Sequence, residues 1–185
     1  VSSLEEVRRS KAVIESVKQS LLDVGVPFNP NIELGIMVEV PAAAIMADQM
    51  IKEVDFFSIG TNDLVQYTLA ADRMNEKVSH LYDYFHPSVL RLIKQVIDAA
   101  HEAGKWVGMC GQMASDPLAT PVLLGMGLDE WSMEKAAVPE VKKQVRSLLK
   151  RECQALVEAV MTCSDSDQIK QQIKTWLDEK VQIER

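Results

Sequence analysis

Apolar residues recur along this chain in two patterns, as short continuous runs and as longer segments with helical spacing. The continuous runs have strand length and few polar residues, which is typical of strands buried on both faces. A segment of helical spacing follows each run, and strands that alternate with helices predict a parallel sheet in an α/β fold. The predicted strands are Ile32 to Val40, Val54 to Gly60, Trp106 to Gly111 and Leu128 to Met133.

Helix signals fill the segments between these strands. Ser2 or Ser3 with Glu5 or Glu6 makes a capping box, and the first helix ends before Gly25. Its expected buried face is Leu4, Val7, Ile14, Val17 and Leu21. Further helices are predicted from Pro41 to about Lys52, Thr61 towards Arg73, Ser88 to Ala103, Asp116 to Gly125 or Gly127, and Pro139 to Lys150. Two more helices form the tail, the second with Ile169, Ile173, Trp176, Leu177 and Val181 on one face.

Composition narrows the classes of protein to which the chain can belong. Of 185 residues 47% are hydrophobic, enough for one substantial core. A net charge of −7 argues against a nucleic-acid or anionic-membrane surface, and no apolar stretch approaches the roughly 18 residues of a membrane span. Three scattered cysteines favour a reducing, cytoplasmic setting. The sequence lacks both an initial Met and a signal peptide, so we expect a piece of a longer protein.

The turn after the second predicted strand has the composition of an anion site. Gly60 ends the strand, and the next three residues, Thr61, Asn62 and Asp63, favour a helix start, where backbone N–H groups are unpaired. Asp63 adds a hard oxygen ligand for a cation, and Arg73 can clamp a phosphate or carboxylate. These residues leave two interpretations open: a metal-assisted site for an anionic substrate, or an ordinary turn with a capping Asx pair.

Two other strand ends carry residues of interest. Glu39 is a carboxylate near the end of an apolar strand, so it must be paired, bind a cation or reach solvent. Neighbouring parallel strands lie about 4.8 Å apart, so Glu39 and Asp63 are placed to share one Mg²⁺. Cys110 ends the third strand, and by residue type alone it is more often a small hydrophobic residue than a catalyst. Residues 71–87 form a long irregular loop, typical of a functional or mobile segment.

Three stretches, residues 35–44, 55–73 and 108–114, resemble motifs of the PEP-utilising enzymes, in the order found in that family. Within the group they resemble the Enzyme I-like phosphotransferases of the sugar phosphotransferase system. That resemblance implies a (β/α)8 TIM barrel, which needs roughly 250 residues. Residues 1–185 are then its second half, strands five to eight with C-terminal helices, in the PEP-binding domain. The upstream strands and the phosphohistidine domain are not in this chain.

The same resemblance implies roles for individual residues. Glu39 and Asp63 are expected to bind Mg²⁺, and Asn62, Asp63 and Arg73 to bind PEP. Cys110 is expected to protonate the enolate that remains when PEP loses its phosphoryl group. A thiol of pKa about 8.5 is mostly protonated at neutral pH, as this role requires.

The implied function is phosphoryl transfer from PEP, through a histidine on another domain, to a small carrier protein for sugar uptake, with release of pyruvate. The resemblance also implies a homodimer. Gln112 stands where the family usually has Glu, which removes a charge two residues from Cys110. The alternatives are a PEP synthase, a pyruvate phosphate dikinase or an HpcH-type aldolase. For the isolated chain, a non-catalytic folding or dimerisation module is also open.

Overall fold

A computed structural model describes residues 1–183, and the side chains of residues 1–180. Val181, predicted on one face of the last helix, lies outside the described side chains. The helices are α1 (Leu4–Asp23), α2 (Pro41–Ile45), α3 (Ala47–Met50), α4 (Thr61–Leu69), α5 (Pro87–Glu102), α6 (Thr120–Met126), α7 (Val138–Ser147), α8 (Lys150–Val160) and α9 (Ser166–Ile183). The strands are β1 (Gly35–Val38), β2 (Phe56–Gly60), β3 (Val107–Cys110) and β4 (Glu130–Ser132), and short 3-10 turns cover Ile51–Glu53, Ser79–Leu81 and Gln112–Ser115.

Within residues 1–183 the strands form one parallel sheet in the order β1-β2-β3-β4. Val38 lies opposite Ile59, and Gly60 lies opposite Cys110, which in turn lies opposite Ser132. The predicted α/β class with a parallel sheet is therefore confirmed. Because all strands run in one direction, their C-terminal ends meet at a single edge of the sheet.

Alternate residues of each strand point to opposite faces of this sheet. The covered face packs into the helical core, and its side chains are buried. The open face carries no such layer in residues 1–183, so Met37 and Trp106 each remain 37% exposed. Phe56 stacks on Trp106 with ring centroids 4.2 Å apart. The covered face comprises Val38, Phe57, Ile59, Val107 and Met109, and the open face comprises Met37, Phe56, Ser58, Gly108, Cys110 and Glu130.

Helix α5 is a major part of the core that lies against the covered face. Pro87 occupies its first turn, and His86 caps it by accepting the N–H of Ser88 at 3.2 Å. The buried apolar residues of α5 recur at helical spacing: Val89, Leu90, Ile93, Val96, Ile97, Ala99 and Ala100.

None of the helices in residues 1–183 combines the length and apolar character that crossing a bilayer requires.

Several predicted boundaries were wrong. β1 covers only Gly35–Val38 of the predicted run from Ile32 to Val40, because ladder partners on β2 extend only over residues 56–59. The helix predicted from Pro41 to Lys52 divides at Met46, whose ψ of 16° leaves the helical range. The sixth helix begins at Thr120 rather than Asp116, whose carboxylate instead accepts the N–H of Leu118.

Helix α1 has the predicted capping box, formed by Ser3 and Glu6. Its predicted buried face is only partly found, because Val7 is 1% exposed whereas Val17 is 52% exposed. Ion pairs to Glu53 hold the N-terminal half of the helix. Helical spacing creates an apolar face, but burial also needs a neighbour, and no element in residues 1–183 covers Val17.

Candidate active site

The C-terminal edge of the sheet brings together residues from three strands. Glu39 directly follows β1, the turn of residues 60–63 follows β2, and Cys110 ends β3. The Sγ atom of Cys110 lies 3.9 Å from the Sδ atom of Met37 on β1. Side chains that are up to 73 residues apart in sequence thus share one corner of the fold.

Glu39 lies against the backbone of the neighbouring strand. Its Oε2 is 3.0 Å from the position that a Cβ would take at Gly60. A side chain at position 60 would therefore displace either this carboxylate or the Met37 sulfur, which lies 3.1 Å from the same point. Glu39 is half-buried and forms no ion pair with any residue in the described part of the chain.

The start of α4 is held by contacts to β3 rather than by a side-chain cap. Thr61 Oγ1 donates to the carbonyl oxygen of Cys110 at 3.0 Å, and Asn62 Oδ1 accepts the backbone N–H of Gln112 at 3.1 Å. The N-cap residue is a glycine and has no side-chain hydrogen bond. The alternative of a capping Asx pair is therefore wrong. Asp63 lies in the first turn of α4 rather than at the end of a strand.

Gly111 permits this close approach. Its φ of +107° lies in a region that residues with side chains rarely adopt. A Cβ there would stand 2.4 Å from Thr61 Oγ1 and 3.0 Å from Asn62 Oδ1. A larger residue at position 111 would thus push apart the two turns that form the site.

The environment of Cys110 favours the protonated thiol. Burial is the main cause that raises the pKa of Cys110, and a hydrogen bond from Ser58 partly opposes it. The negative charges of Glu39, Glu130 and Asp63 raise the pKa further. At neutral pH the group is therefore a thiol that carries a transferable proton.

Arg73 lies in the loop that begins where Ala70 ends α4 in a left-handed conformation, φ 51°. The Tyr82 hydroxyl is 3.5 Å from Asn62 Oδ1. Burial raises the pKa of Tyr82, the charge of Arg73 and its hydrogen bond to the phenol lower it, and the charge of Asp63 raises it. The sequence does not predict this position of Tyr82, because its only signal is that of an aromatic residue in a long loop.

The second half of the loop of residues 71–87 is fastened to the rest of the fold. Asp83 forms an ion pair with Lys170 of α9 at 2.5 Å, and Tyr84 donates to Asp116 at 2.7 Å. Phe85 is buried at 2% exposure. The loop is therefore anchored directly after Tyr82, and residues 72–77 form a continuously exposed stretch within it.

A cavity of about 280 Å³ opens at the same edge of the sheet. Its walls come from the turns after β2, β3 and β4, so it lies beside the cluster described above. The lining residues are Asn62, Gly111, Gln112, Ser115, Ser132, Met133 and Glu134.

Two carboxylates at this edge provide oxygen donors for a metal ion. Glu39 and Asp63 both act electrostatically on Cys110, and neither forms an ion pair within residues 1–183. In the same part of the chain, His, Cys, Asp and Glu do not form a group of three that could hold a metal. Mg²⁺ commonly takes one or two carboxylates and fills its remaining positions with water and substrate phosphate, so the donor set fits this ion.

A parallel α/β sheet with acidic, amide and thiol groups at its C-terminal edge resembles the α/β enzymes, which carry their active sites at that edge. Comparison with known proteins defines the family. Residues 1–150 match the family described as "PEP-utilising enzyme, PEP-binding domain", and the chain belongs to this family.

Similar proteins include phosphoenolpyruvate-protein phosphotransferases from several bacteria. The chain is 53% identical over 169 residues to that of Geobacillus stearothermophilus, covering 91% of this chain and 29% of the relative. It is 59% identical over 151 residues to that of Enterococcus faecalis, covering 82% and 26%. It is 51% identical over 169 residues to that of Staphylococcus aureus, covering 91% and 30%. The chain thus spans less than a third of each relative, and its similarity to these phosphotransferases confirms the predicted resemblance.

Proposed function

We propose that residues 1–185 are the C-terminal part of the PEP-binding domain of a phosphoenolpyruvate–protein phosphotransferase. The observation that carries this proposal is the convergence of Glu39, the Asn62–Asp63 turn and Cys110 at one edge of the sheet. This edge combines oxygen donors for a cation, a hydrogen-bond donor for an anion and a protonated thiol. The names of the relatives point to PEP as the anion.

We further propose that the sheet is the second half of a (β/α)8 TIM barrel, strands five to eight. The sequential strand order and the helices on one face support this proposal, because a barrel segment has both. The open face would be the barrel interior, which upstream strands of the longer protein would enclose. Barrel enzymes carry their active sites at the C-terminal ends of the strands, and the candidate residues lie at that edge.

Substrate binding uses groups that have free hydrogen-bonding capacity. The Oδ1 of Asn62 already accepts two hydrogen bonds, so its amide Nδ2 is the atom available to an oxygen of PEP. Arg73 offers a planar guanidinium for two-pronged contact with phosphate or carboxylate. Asp63, which the resemblance also places at PEP, would take part in binding the anion through the metal ion.

Glu39 and Asp63 would hold the Mg²⁺. When bound, the ion offsets negative charge on the phosphate and on the developing enolate. Gly60 serves this arrangement by leaving room for the Glu39 carboxylate beside β2.

Cys110 completes the chemistry. In the proposed reaction a histidine nitrogen of another domain attacks phosphorus, and the bond between phosphorus and the enol oxygen of PEP breaks. The electrons of that bond leave with the enolate. The Sγ–H of Cys110 then gives its proton to the methylene carbon, which yields pyruvate and a thiolate that solvent reprotonates. The raised pKa of Cys110 keeps this proton in place at neutral pH.

The phosphohistidine would pass its phosphoryl group to a small carrier protein through domains upstream of this chain. We place the complete protein in the cytoplasm and expect it to be a homodimer. A non-catalytic role of the isolated chain is the second candidate, because the chain spans 26–30% of the relatives and leaves one sheet face open.

The test uses the complete protein and the isolated chain side by side. The complete protein should release pyruvate and label a histidine when given PEP, Mg²⁺ and a carrier protein, and the isolated chain should do neither. Turnover of ATP or of an aldol substrate instead of PEP would favour the synthase, dikinase or aldolase alternatives. Light scattering of the isolated chain distinguishes the expected dimers or larger assemblies from a monomer.

A further inference from the structure

We propose that Tyr82 is a positioning residue of the PEP site, which restrains the Asn62 side chain from the side of the loop, and that α9 holds Tyr82 in place through Lys170. This inference rests on the proposed function, since it concerns how the same site is organised. It assigns a role to the loop of residues 71–87 and to the helical tail beyond residue 150, which lies outside the matched family region.

The first step concerns the orientation of the Asn62 amide. Its Oδ1 accepts the N–H of Gln112 at 3.1 Å and faces the hydroxyl of Tyr82 at 3.5 Å. The backbone N–H of Gln112 can only donate, so it fixes which way the amide is turned, because a flipped amide would present an N–H group to it. The Tyr82 hydroxyl contacts the same oxygen from the side of the loop and thereby restrains the side chain further. Asn62 Nδ2 makes no hydrogen bond within residues 1–183 and is free for an anion.

The second step concerns Arg73. It lies in the exposed part of the loop, and no carboxylate in the described residues pairs with it. Its charge acts on the phenol of Tyr82, which belongs to the same loop and contacts Asn62. The loop that carries Arg73 therefore also carries the half-buried tyrosine that contacts Asn62.

The third step concerns what holds Tyr82. The next residue, Asp83, forms the ion pair with Lys170, whose ammonium group also lies 5.7 Å from the ring centroid of Phe85. Asp83 and Lys170 are 23% and 33% exposed, so solvent only partly screens the pair. Helix α9 thereby fixes the backbone on the C-terminal side of Tyr82.

The kinetic test uses the complete phosphotransferase that contains this chain. Tyr82→Phe keeps the ring and removes the hydroxyl, and should raise KM for PEP about tenfold while kcat changes less than about threefold. Lys170→Met should raise KM about threefold, and this increase should shrink in the Tyr82→Phe background. Tyr67→Phe on α4 and Lys174→Met on α9 are exposed, matched controls that should leave both constants unchanged. An unchanged KM in Tyr82→Phe would overturn the inference.

A second readout does not depend on turnover. Nitrogen-15 NMR of the present chain should show the Asn62 side-chain amide shifted and more rapidly exchanging in Tyr82→Phe, with the backbone spectrum preserved. Loss of PEP turnover in the wild-type protein would reject the proposed function but would leave this spectrum as a test of positioning. An Asn62 amide signal that is identical in both proteins would reject the positioning role.

Discussion

The two faces of the sheet are made from alternate residues of the same four strands, yet they differ in solvent exposure and in polarity. On the covered face Phe57, Ile59 and Met109 are 0% exposed, and on the open face Met37 is 37% exposed. The covered face is uniformly apolar. The open face mixes a methionine and aromatic rings with Ser58, Cys110 and Glu130, and therefore contains the groups that can perform chemistry.

This difference separates stability from function within a single element. Burial of apolar area on the covered face contributes to the free energy of folding. On the open face, two glycines leave room for carboxylates to lie close to the backbone. Gly60 accommodates the carboxylate of Glu39, and Gly108 accommodates that of Glu130. We therefore expect substitutions on the covered face to lower stability and substitutions at the C-terminal edge of the open face to lower activity.

The largest expected effect is on activity at that edge. Glu39→Gln or Asp63→Asn in the complete protein should lower PEP-dependent phosphorylation by about 10³-fold or more, because each removes a proposed metal ligand. The unfolding midpoint should be preserved. Glu33→Gln, an exposed carboxylate at the other end of the β1 region, is the matched control. Near-normal activity of either variant at saturating Mg²⁺ would remove that residue from the site.

The next effect is on stability. Phe57→Ala should lower the free energy of unfolding by about 3–5 kcal/mol, because it leaves a cavity in the covered face. Met37→Ala should cost less than about 1 kcal/mol, because its side chain already contacts solvent in residues 1–183. Urea denaturation of the present chain measures both. Equal losses would mean that the open face is buried in solution, as in a tight self-assembly.

Cys110→Ser should lower pyruvate formation about 10²-fold to 10⁴-fold, since an alcohol is a far poorer proton donor at neutral pH. PEP binding should change little, because the proton transfer follows binding. Cys163→Ser, in a half-buried tail position, should have no effect on either quantity. A Cys110→Ser enzyme with normal turnover would return this residue to a structural role.

The smallest effect concerns the ionisation of Cys110. Because burial raises its pKa, the thiolate forms at higher pH than in an exposed cysteine, and alkylation at pH 8 should be slower than that of a cysteine peptide. Cys110 binds its proton more tightly in the folded state than in the unfolded state. Its contribution to the free energy of unfolding is therefore fully present below its pKa in the unfolded state, and it is lost as the pH rises through its pKa in the folded state. PEP should slow alkylation further. Mass spectrometry of the proteolytic fragment that contains Cys110 measures the alkylation rate. A rate as high as that of the free cysteine peptide would contradict the raised pKa.

Much of the fold could be predicted because its signals are local. The alternation of strand-like and helical spacing predicted the parallel α/β class, and the helix predicted from Ser88 to Ala103 agrees closely with α5. The break at Met46 and the left-handed Ala70 could not be predicted, because neither position carries a Gly or Pro signal. The length of β1 is set by its pairing with β2, and the periodicity of a single segment carries no information about its partner strand.

The candidate site was predictable at the residues of the motifs and less so around them. Glu39, Asn62, Asp63, Arg73 and Cys110 were selected from strand ends and from the family resemblance, and their roles remain predictions. Tyr82 was not selected, because its contact with Asn62 spans 20 residues and depends on how the loop folds back. The anchor from Lys170 spans 87 residues and leaves no trace in local sequence.

The most direct test of the proposed site is a crystal structure of the complete protein with PEP and Mg²⁺. We expect the metal about 2.1 Å from carboxylate oxygens of Glu39 and Asp63, the anion on Asn62 Nδ2 and Arg73, and the methylene carbon of PEP facing Cys110 Sγ. We also expect upstream strands to cover Met37 and Trp106. PEP bound away from this edge, or a metal held without Glu39 and Asp63, would contradict the proposal.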